Sequence, residues 1–228
     1  MSITIFFKPI KQYQSGFSLI EVAIVLLIVG LLLGGLMTPL ATQYENSKRK
    51  DTQKSLEAIS EALYGFAVSN GRLPCPDTNN DGQENQLAGA CAAAFGTLPW
   101  VTLNTGNRDA WGRAFIYRVT LTFADSTDGT GCGAATPGVS MSLCSSGDIQ
   151  VLAAAGGSVI AANLPAMVVS KAGNGAAVGV NEAENSDNDA VFVSKDYSTQ
   201  AGNPFDDLVE WINPAILNNR LVKAGRLP

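Results

Sequence analysis

Hydrophobic positions along this chain follow three patterns in turn, and each pattern predicts a different element. From Phe17 to Met37 the run is apolar apart from Ser18 and Glu21. A helix rises about 1.5 Å per residue, so a helix over 17–40 is long enough for the ~30 Å of a hydrocarbon core and predicts a transmembrane segment. From Tyr44 onward the apolar positions thin to Leu56, Ile59, Leu63 and Phe66, with Ala58 and Ala62 between them. Glu45, Lys48, Arg49, Lys50, Asp51, Lys54, Glu57 and Glu61 fill the opposite face. Spacings of three and four make one face of an amphipathic helix over 41–71, and something folded must cover its apolar stripe. Asn70-Gly71 supplies a stop, and Pro74 and Pro76 prevent resumption.

Beyond this helix the period drops to two. Phe115, Tyr117, Val119, Leu121 and Phe123 alternate with Arg118 and Thr120, which predicts a strand over 113–123 with the aromatic side inward. Further strands are expected at 149–153, 166–170, 190–194 and 207–212, separated by surface loops at 124–147 and 172–189. Asn213 then caps a short helix with Pro214 in its first position and Gly225 at its end. Gly-Arg-Leu-Pro occurs at 71–74 and at 225–228, which reads as one stop chemistry used twice. The expected fold class is α+β: a long N-terminal transmembrane-plus-amphipathic helix packed on a small antiparallel sheet. A leader at 1–16, a membrane or packing segment at 17–40, an amphipathic half at 41–71 and a globular head at 72–228 complete the division.

Two features disturb the apolar run. Gly30 and Gly34 form a small-residue pair suited to close helix packing. Pro39 lacks an amide proton and crowds the carbonyl of Gly35, so 34–39 is the weakest stretch of the helix and the expected place for a bend. Glu21 puts one ionisable group at the start of the run, where a carboxylate is costly unless it has a partner or a function. An ordinary signal anchor gives Glu21 no purpose, and a secretory signal peptide has a shorter apolar region.

Gly16-Phe17-Ser18-Leu19-Ile20-Glu21, followed by Val22, Ile24, Val25, Ile28 and Gly30, resembles the N-terminal motif of type IV pilins and type II secretion pseudopilins. The resemblance covers Gly16 to about Leu40. It implies a prepilin leader cut after Gly16 by prepilin peptidase, N-methylation of Phe17, and Glu21 as the carboxylate used in filament assembly. It also implies a type IV pilin-like fold. The location implied is the bacterial inner membrane, crossed once with the head in the periplasm, and then a pilus or pseudopilus filament. The partners implied are other pilin or pseudopilin subunits, the peptidase and the inner-membrane assembly platform. The expected function is that of a structural subunit, a minor pilin or pseudopilin. The alternative is a membrane-anchored exported protein that binds a ligand or surface. Asp109-Ala-Trp-Gly112 is similar to a turn that leads into the first head strand of pseudopilins, with Trp111 expected to plug the core over the helix stripe.

Composition sharpens this picture. Among 228 residues there is no histidine, which removes the usual general base and the commonest transition-metal ligand. No serine, cysteine or carboxylate pair stands in a recognisable catalytic setting, so an enzyme is not expected. The formal net charge is -5, and without Lys8 and Lys11 of the leader 13 basic residues face 20 acidic ones. An acidic chain is unsuited to broad nucleic-acid binding. Lys8 and Lys11 before the run and Lys48, Arg49 and Lys50 after it leave the positive-inside count balanced, so orientation rests on the resemblance and on the cysteines.

Cys75, Cys91, Cys132 and Cys144 all follow the apolar run and contain no Cys-x-x-Cys pair, which suits disulfides in an oxidising compartment rather than zinc. Three pairings are open, and local closure favours Cys75–Cys91 and Cys132–Cys144. Asp77, Asn79, Asp81 and Gly82 match the first half of a calcium loop, but Ala88 stands where the bidentate glutamate belongs. Asn185, Asp187 and Asp189 are similar in composition to the calcium loop of some pseudopilins. Calcium is thus a candidate ligand at both loops, and no cofactor is required.

Overall fold

The computed structural model describes residues 16–125, 138–175 and 178–228, without the side chains of 33–39. Helix α1 occupies Leu19–Asn70. Two short strands, β1 (Gln86–Leu87) and β2 (Ala90–Cys91), form a hairpin, followed by β3 (Phe95–Thr97), α2 (Trp100–Leu103) and β4 (Ile116–Val119). Then come β5 (Ile149–Leu152), β6 (Val159–Leu164), β7 (Ala166–Ser170), α3 (Val180–Glu184), β8 (Val191–Val193), β9 (Leu208–Trp211) and α4 (Pro214–Lys223). The chain divides into two units, 1–45 and 46–228. The helical assignment is continuous through Pro39, where the sequence expects its weakest point.

Ser18 starts α1: the Glu21 amide donates to Ser18 Oγ at 3.2 Å and to its carbonyl at 3.1 Å. This is one half of a capping box and moves the helix start two residues past Phe17. At the other end Gly71 adopts φ +72°, and a Cβ there would lie 2.1 Å from the Gly138 carbonyl oxygen. Only glycine fits both constraints. Arg226 donates to the carbonyls of Val68 and Ser69, so the second Gly-Arg-Leu-Pro covers the helix end that the first one makes. Gly225, with φ +69°, ends α4 as expected, and Asn213 Oδ1 caps its start by accepting from Ala215 and Ile216.

In the second unit, Leu56, Ile59, Leu63 and Ala67 are buried, as the spacing predicts. Tyr64 joins them, and Ala58, expected on the stripe, is exposed. They pack with Phe115, Tyr117, Val119, Ala166, Val168 and Ile212 on one face of an antiparallel sheet ordered β3-β4-β7-β9. The expected antiparallel sheet is therefore present. The single-sheet expectation needs correction, because a second sheet, ordered β6-β5-β8, contains a parallel β5–β8 pairing. Ile149, Val151, Leu164 and Phe192 meet Met167 and Val169 in a separate core. Strand β7 is thus buried on both sides, which accounts for its unbroken apolar run Ala166–Val169.

The 113–123 strand is shorter than the alternation suggests. It occupies Ile116–Val119 and gives way to a 3₁₀ turn at Leu121–Phe123, with Leu121 exposed. Thr120, expected to face solvent, is buried, with its hydroxyl within hydrogen-bond distance of two acceptors, Asp148 at 2.6 Å and the Leu164 carbonyl at 3.0 Å. In the stretch expected as a surface loop, Val139 and Met141 belong to the core, and 172–189 contains α3. Trp111 is half-buried, with Lys48 Nζ 5.9 Å from its ring, and does not plug the stripe. Arg49, expected on the solvent face, is half-buried too: it donates to the Asp206 carbonyl and sits 4.6 Å from the Tyr197 ring.

Removing Leu63, which is fully buried between α1 and the sheet, leaves a cavity that rigid neighbours on both sides cannot fill. Leu63→Ala is expected to destabilise the head by about 2–5 kcal/mol. Ala58→Leu, on the exposed side, is expected to change it by less than about 0.5 kcal/mol. Denaturant melts of residues 46–228 measure both.

Candidate functional site

The N-terminal segment presents an unusual surface for a folded chain. Every large apolar side chain described from Phe17 to Leu32 is exposed, from Leu19 at 93% to Val29 at 43%. None of the described residues of its unit covers this run, so lipid or neighbouring chains are the natural cover. A Cβ at Gly16 would meet nothing within 4 Å, and Phe17 beyond it is 83% exposed. Glu21 is exposed at the third helical position, where a negative charge also favours the helix N-terminus. Among the described residues no helix is long and apolar enough to cross a membrane.

Residues 11–37 match the family model described as the prokaryotic N-terminal methylation motif. The chain carries a prepilin-type leader. This is the motif found at the prepilin leader of type IV pilins and pseudopilins. No curated protein and no solved structure matches the chain. The prepilin-type motif ends before the head begins, so the head has to be read from its own geometry.

In the head, Cys75 is bonded to Cys91 across 16 residues. Closing a loop of this length contributes roughly 3 kcal/mol by restricting the unfolded chain. Cys144 is disulfide-bonded as well, and Cys132 lies outside the described residues. Inside the first loop Arg72 forms a paired contact with Glu84 at 2.7 Å, and Glu84 also accepts from the Cys75 amide. The sequence reading missed this ion pair, because nothing in the spacing of 72 and 84 announces it.

The two Asx-rich loops differ. Asp77 is buried, and its two oxygens accept from the amides of Asn79, Asn80 and Gly82. Asn79 and Asp81 accept in turn from the amides of Asp81 and Gln83. These oxygens hold the turn itself, so the donor set is a poor fit for a cation. In the second loop Asn185 turns inward, bonded to both backbone groups of Val193 and to Asp207. Asp187 and Asp189 stay outside, and Glu184 joins them with one oxygen of each within 4.8 Å of the others. Burial pushes the Glu184 carboxyl up, and Asp187 and Asp189 add to that. Oxygen donors suit calcium in kind, although amides of Asp189 and Val191 already use one oxygen each of Asp187 and Asp189.

A second acidic group, unnoticed in the sequence, lies at Glu182, Asp206 and Asp207. Glu182 accepts from Asn174, Val178 and the Asp206 amide, and Asp206 accepts from the Asn174 amide. The group staples the 172–182 segment to the stretch before β9. Burial pushes the Asp207 carboxyl up to about 7, against a lowering hydrogen bond from Asn185, with Glu182 and Asp206 raising it further and Lys171 lowering it. The folded state therefore keeps this proton to a higher pH than the unfolded chain, whose value is near 3.8. Stability is lost as pH rises from about 4 to about 7, and the loss is complete above that window. The head is expected to melt at a lower temperature at pH 8 than at pH 5, and Asp207→Asn is expected to shrink the difference. Thermal melts of both proteins across this range check it.

Proposed function

We propose that this protein is a minor pilin or pseudopilin: a precursor anchored by its apolar helix, cut after Gly16, methylated at Phe17 and packed into a filament. The observation that carries the reading is the methylation motif at 11–37 running directly into an uncovered apolar helix. The apolar segment 17–40 would sit first in the inner membrane and then among neighbouring helices, with the head in the periplasm. Peptidase, assembly platform and other subunits are the partners this requires. A membrane-anchored exported binding protein is the other reading, and leader removal separates them. Expressed with and without prepilin peptidase, a subunit shortens by its leader only when the enzyme is present, whereas an anchor keeps its length.

Glu21 supplies the sharper test. Cleavage frees the amine of Phe17, and in a filament the Glu21 carboxylate can neutralise that charge on its own chain or a neighbour. Leaving one member of a buried pair unpaired costs about 3–5 kcal/mol, so slipped subunits are penalised and the pair acts as a register device. Glu21→Val is expected to leave insertion and cleavage intact while removing the protein from sheared filaments. Normal incorporation of the variant excludes Glu21 from assembly, and loss of cleavage moves its role to the peptidase step.

Calcium belongs, on this reading, to the Glu184, Asp187 and Asp189 loop and not to Asp77, Asn79 and Asp81. Calcium is expected to raise the melting temperature of the head, and Asp187→Ala to abolish the gain while Asp81→Ala keeps it. Equal melting in calcium and in chelator excludes both loops.

A further inference from the structure

The antiparallel sheet closes one of its edges and leaves the other open. On one side β3 is covered by the loop before it, where Asp77 and Thr97 exchange backbone hydrogen bonds at 3.0 and 2.8 Å. On the other side β9 pairs with β7 alone. The Ile212 amide donates to the Ala166 carbonyl at 2.9 Å. This sets 212 with 166, 210 with 168 and 208 with 170 as the hydrogen-bonded pairs of the ladder. The amides and carbonyls of Val209 and Trp211 therefore point away from β7, and among the described residues they have no partner. No bulge, proline or lysine interrupts this edge.

A groove of about 440 Å³ lies at the open edge, lined by Val209, Glu210 and Trp211, with Glu61 and Tyr64 of α1 and Ile216 of α4. Strand alternation gives the edge two different faces. Val209 and Trp211 pack toward the second core, whereas Glu210 lies on the α1 side with Gln53 and Glu57. Burial pushes the Glu210 carboxyl up and Glu57 adds to that, against a lowering hydrogen bond from Gln53. Among the described residues no ion pair reaches Glu210. Arg220, the cation of the groove, donates to both oxygens of Glu61 at 2.7 and 2.8 Å. The edge thus offers free backbone groups at two positions, a half-buried apolar side chain at each, and between them a carboxylate without a cation.

We propose that the open edge of β9 docks an extended segment of a partner protein, which adds as an antiparallel strand with a basic residue opposite Glu210 and apolar residues opposite Val209 and Trp211. Directly opposed residues of an antiparallel pair share a face, so the basic side chain meets Glu210 while its two neighbours extend the apolar side. The antiparallel direction continues that of every pairing in this sheet. Backbone bonds hold any extended chain, and Glu210 supplies the choice, because an acidic residue at the middle position sets like charges side by side. Tyr117-Arg118-Val119 is this chain's own apolar-basic-apolar strand and is already paired on both sides, which points to a different protein as the source. The site lies wholly in the second unit and is independent of how the N-terminal helix is used.

The test uses the full-length chain in detergent micelles and end-blocked synthetic peptides, with residue-resolved amide exchange as the readout. The probe is Ser-Thr-Val-Lys-Val-Thr-Ser, offered up to millimolar concentration. It is expected to slow exchange of the Val209 and Trp211 amides about fivefold and saturably, leaving Glu210, already bonded to β7, unchanged. Replacing the peptide lysine by glutamate is expected to weaken binding about tenfold, and Glu210→Gln to reduce that preference to about twofold. The valine amides face β9 in this register, so N-methylation of both valines is expected to abolish the effect, and N-methylation of the lysine to preserve it. No slowing at Val209 and Trp211, equal binding of the lysine and glutamate peptides, or binding that survives methylated valines overturns the proposal. Protection of both amides that grows with the concentration of the chain alone names a second copy as the occupant and overturns it as well.

Discussion

Leu56, Ile59, Leu63, Tyr64 and Ala67 lie along one side of α1, and the whole head is built on covering them. A lone helix of this composition is marginal in water, so its stability comes from the sheet it meets. Once β4 and β7 lie on that stripe, Val119 and Tyr117 on one strand and Ala166 and Val168 on the other are committed inward. Strict alternation then sends Met167 and Val169 to the far side, which needs a cover of its own. The second sheet is that cover. Helix, antiparallel sheet and mixed sheet thus follow one another as successive solutions to exposed apolar faces.

The same helix carries the opposite condition in the first unit. From Phe17 to Leu32 its apolar side chains are exposed, and Glu21 stands at their start. A folded domain buries such a run, whereas an assembling one leaves it for lipid or for neighbours. This difference between two parts of one element sets the segment that carries the methylation motif apart from the head. The head's polar contacts are scaffolding contacts. Arg72 with Glu84, Asp109 with Ser170, and Glu182 with the amides around Asp206 fix loops to the scaffold. Asp109 also accepts from the amides of Trp111 and Arg113, which is the physical content of the Asp-Ala-Trp-Gly turn.

The N-terminal motif, the course of α1, the caps at Asn70-Gly71 and Asn213-Pro214, and the strands near 149, 166, 191 and 208 were legible from the residues alone. Each rests on short-range physics: a period, a cap, a missing amide proton or a backbone that only glycine adopts. The Cys75–Cys91 bridge was legible for the same reason, since it closes a local loop.

Tertiary structure alone decided what depends on distant partners. Thr120 reads as a solvent position until Asp148 and Leu164 arrive beside it. Asn185 reads as a ligand beside Asp187 until Val193 and Asp207 draw it inward. Strand β6 has no strong alternation, because its pairing with β5 shifts register and much of it stays exposed. Glu182 and Asp207 lie 25 positions apart in sequence, and their shared environment comes from α3 folding back toward β9. A sequence specifies its local preferences directly. Long-range pairing is fixed only when burial on both faces of a shared strand makes one arrangement the lowest in free energy.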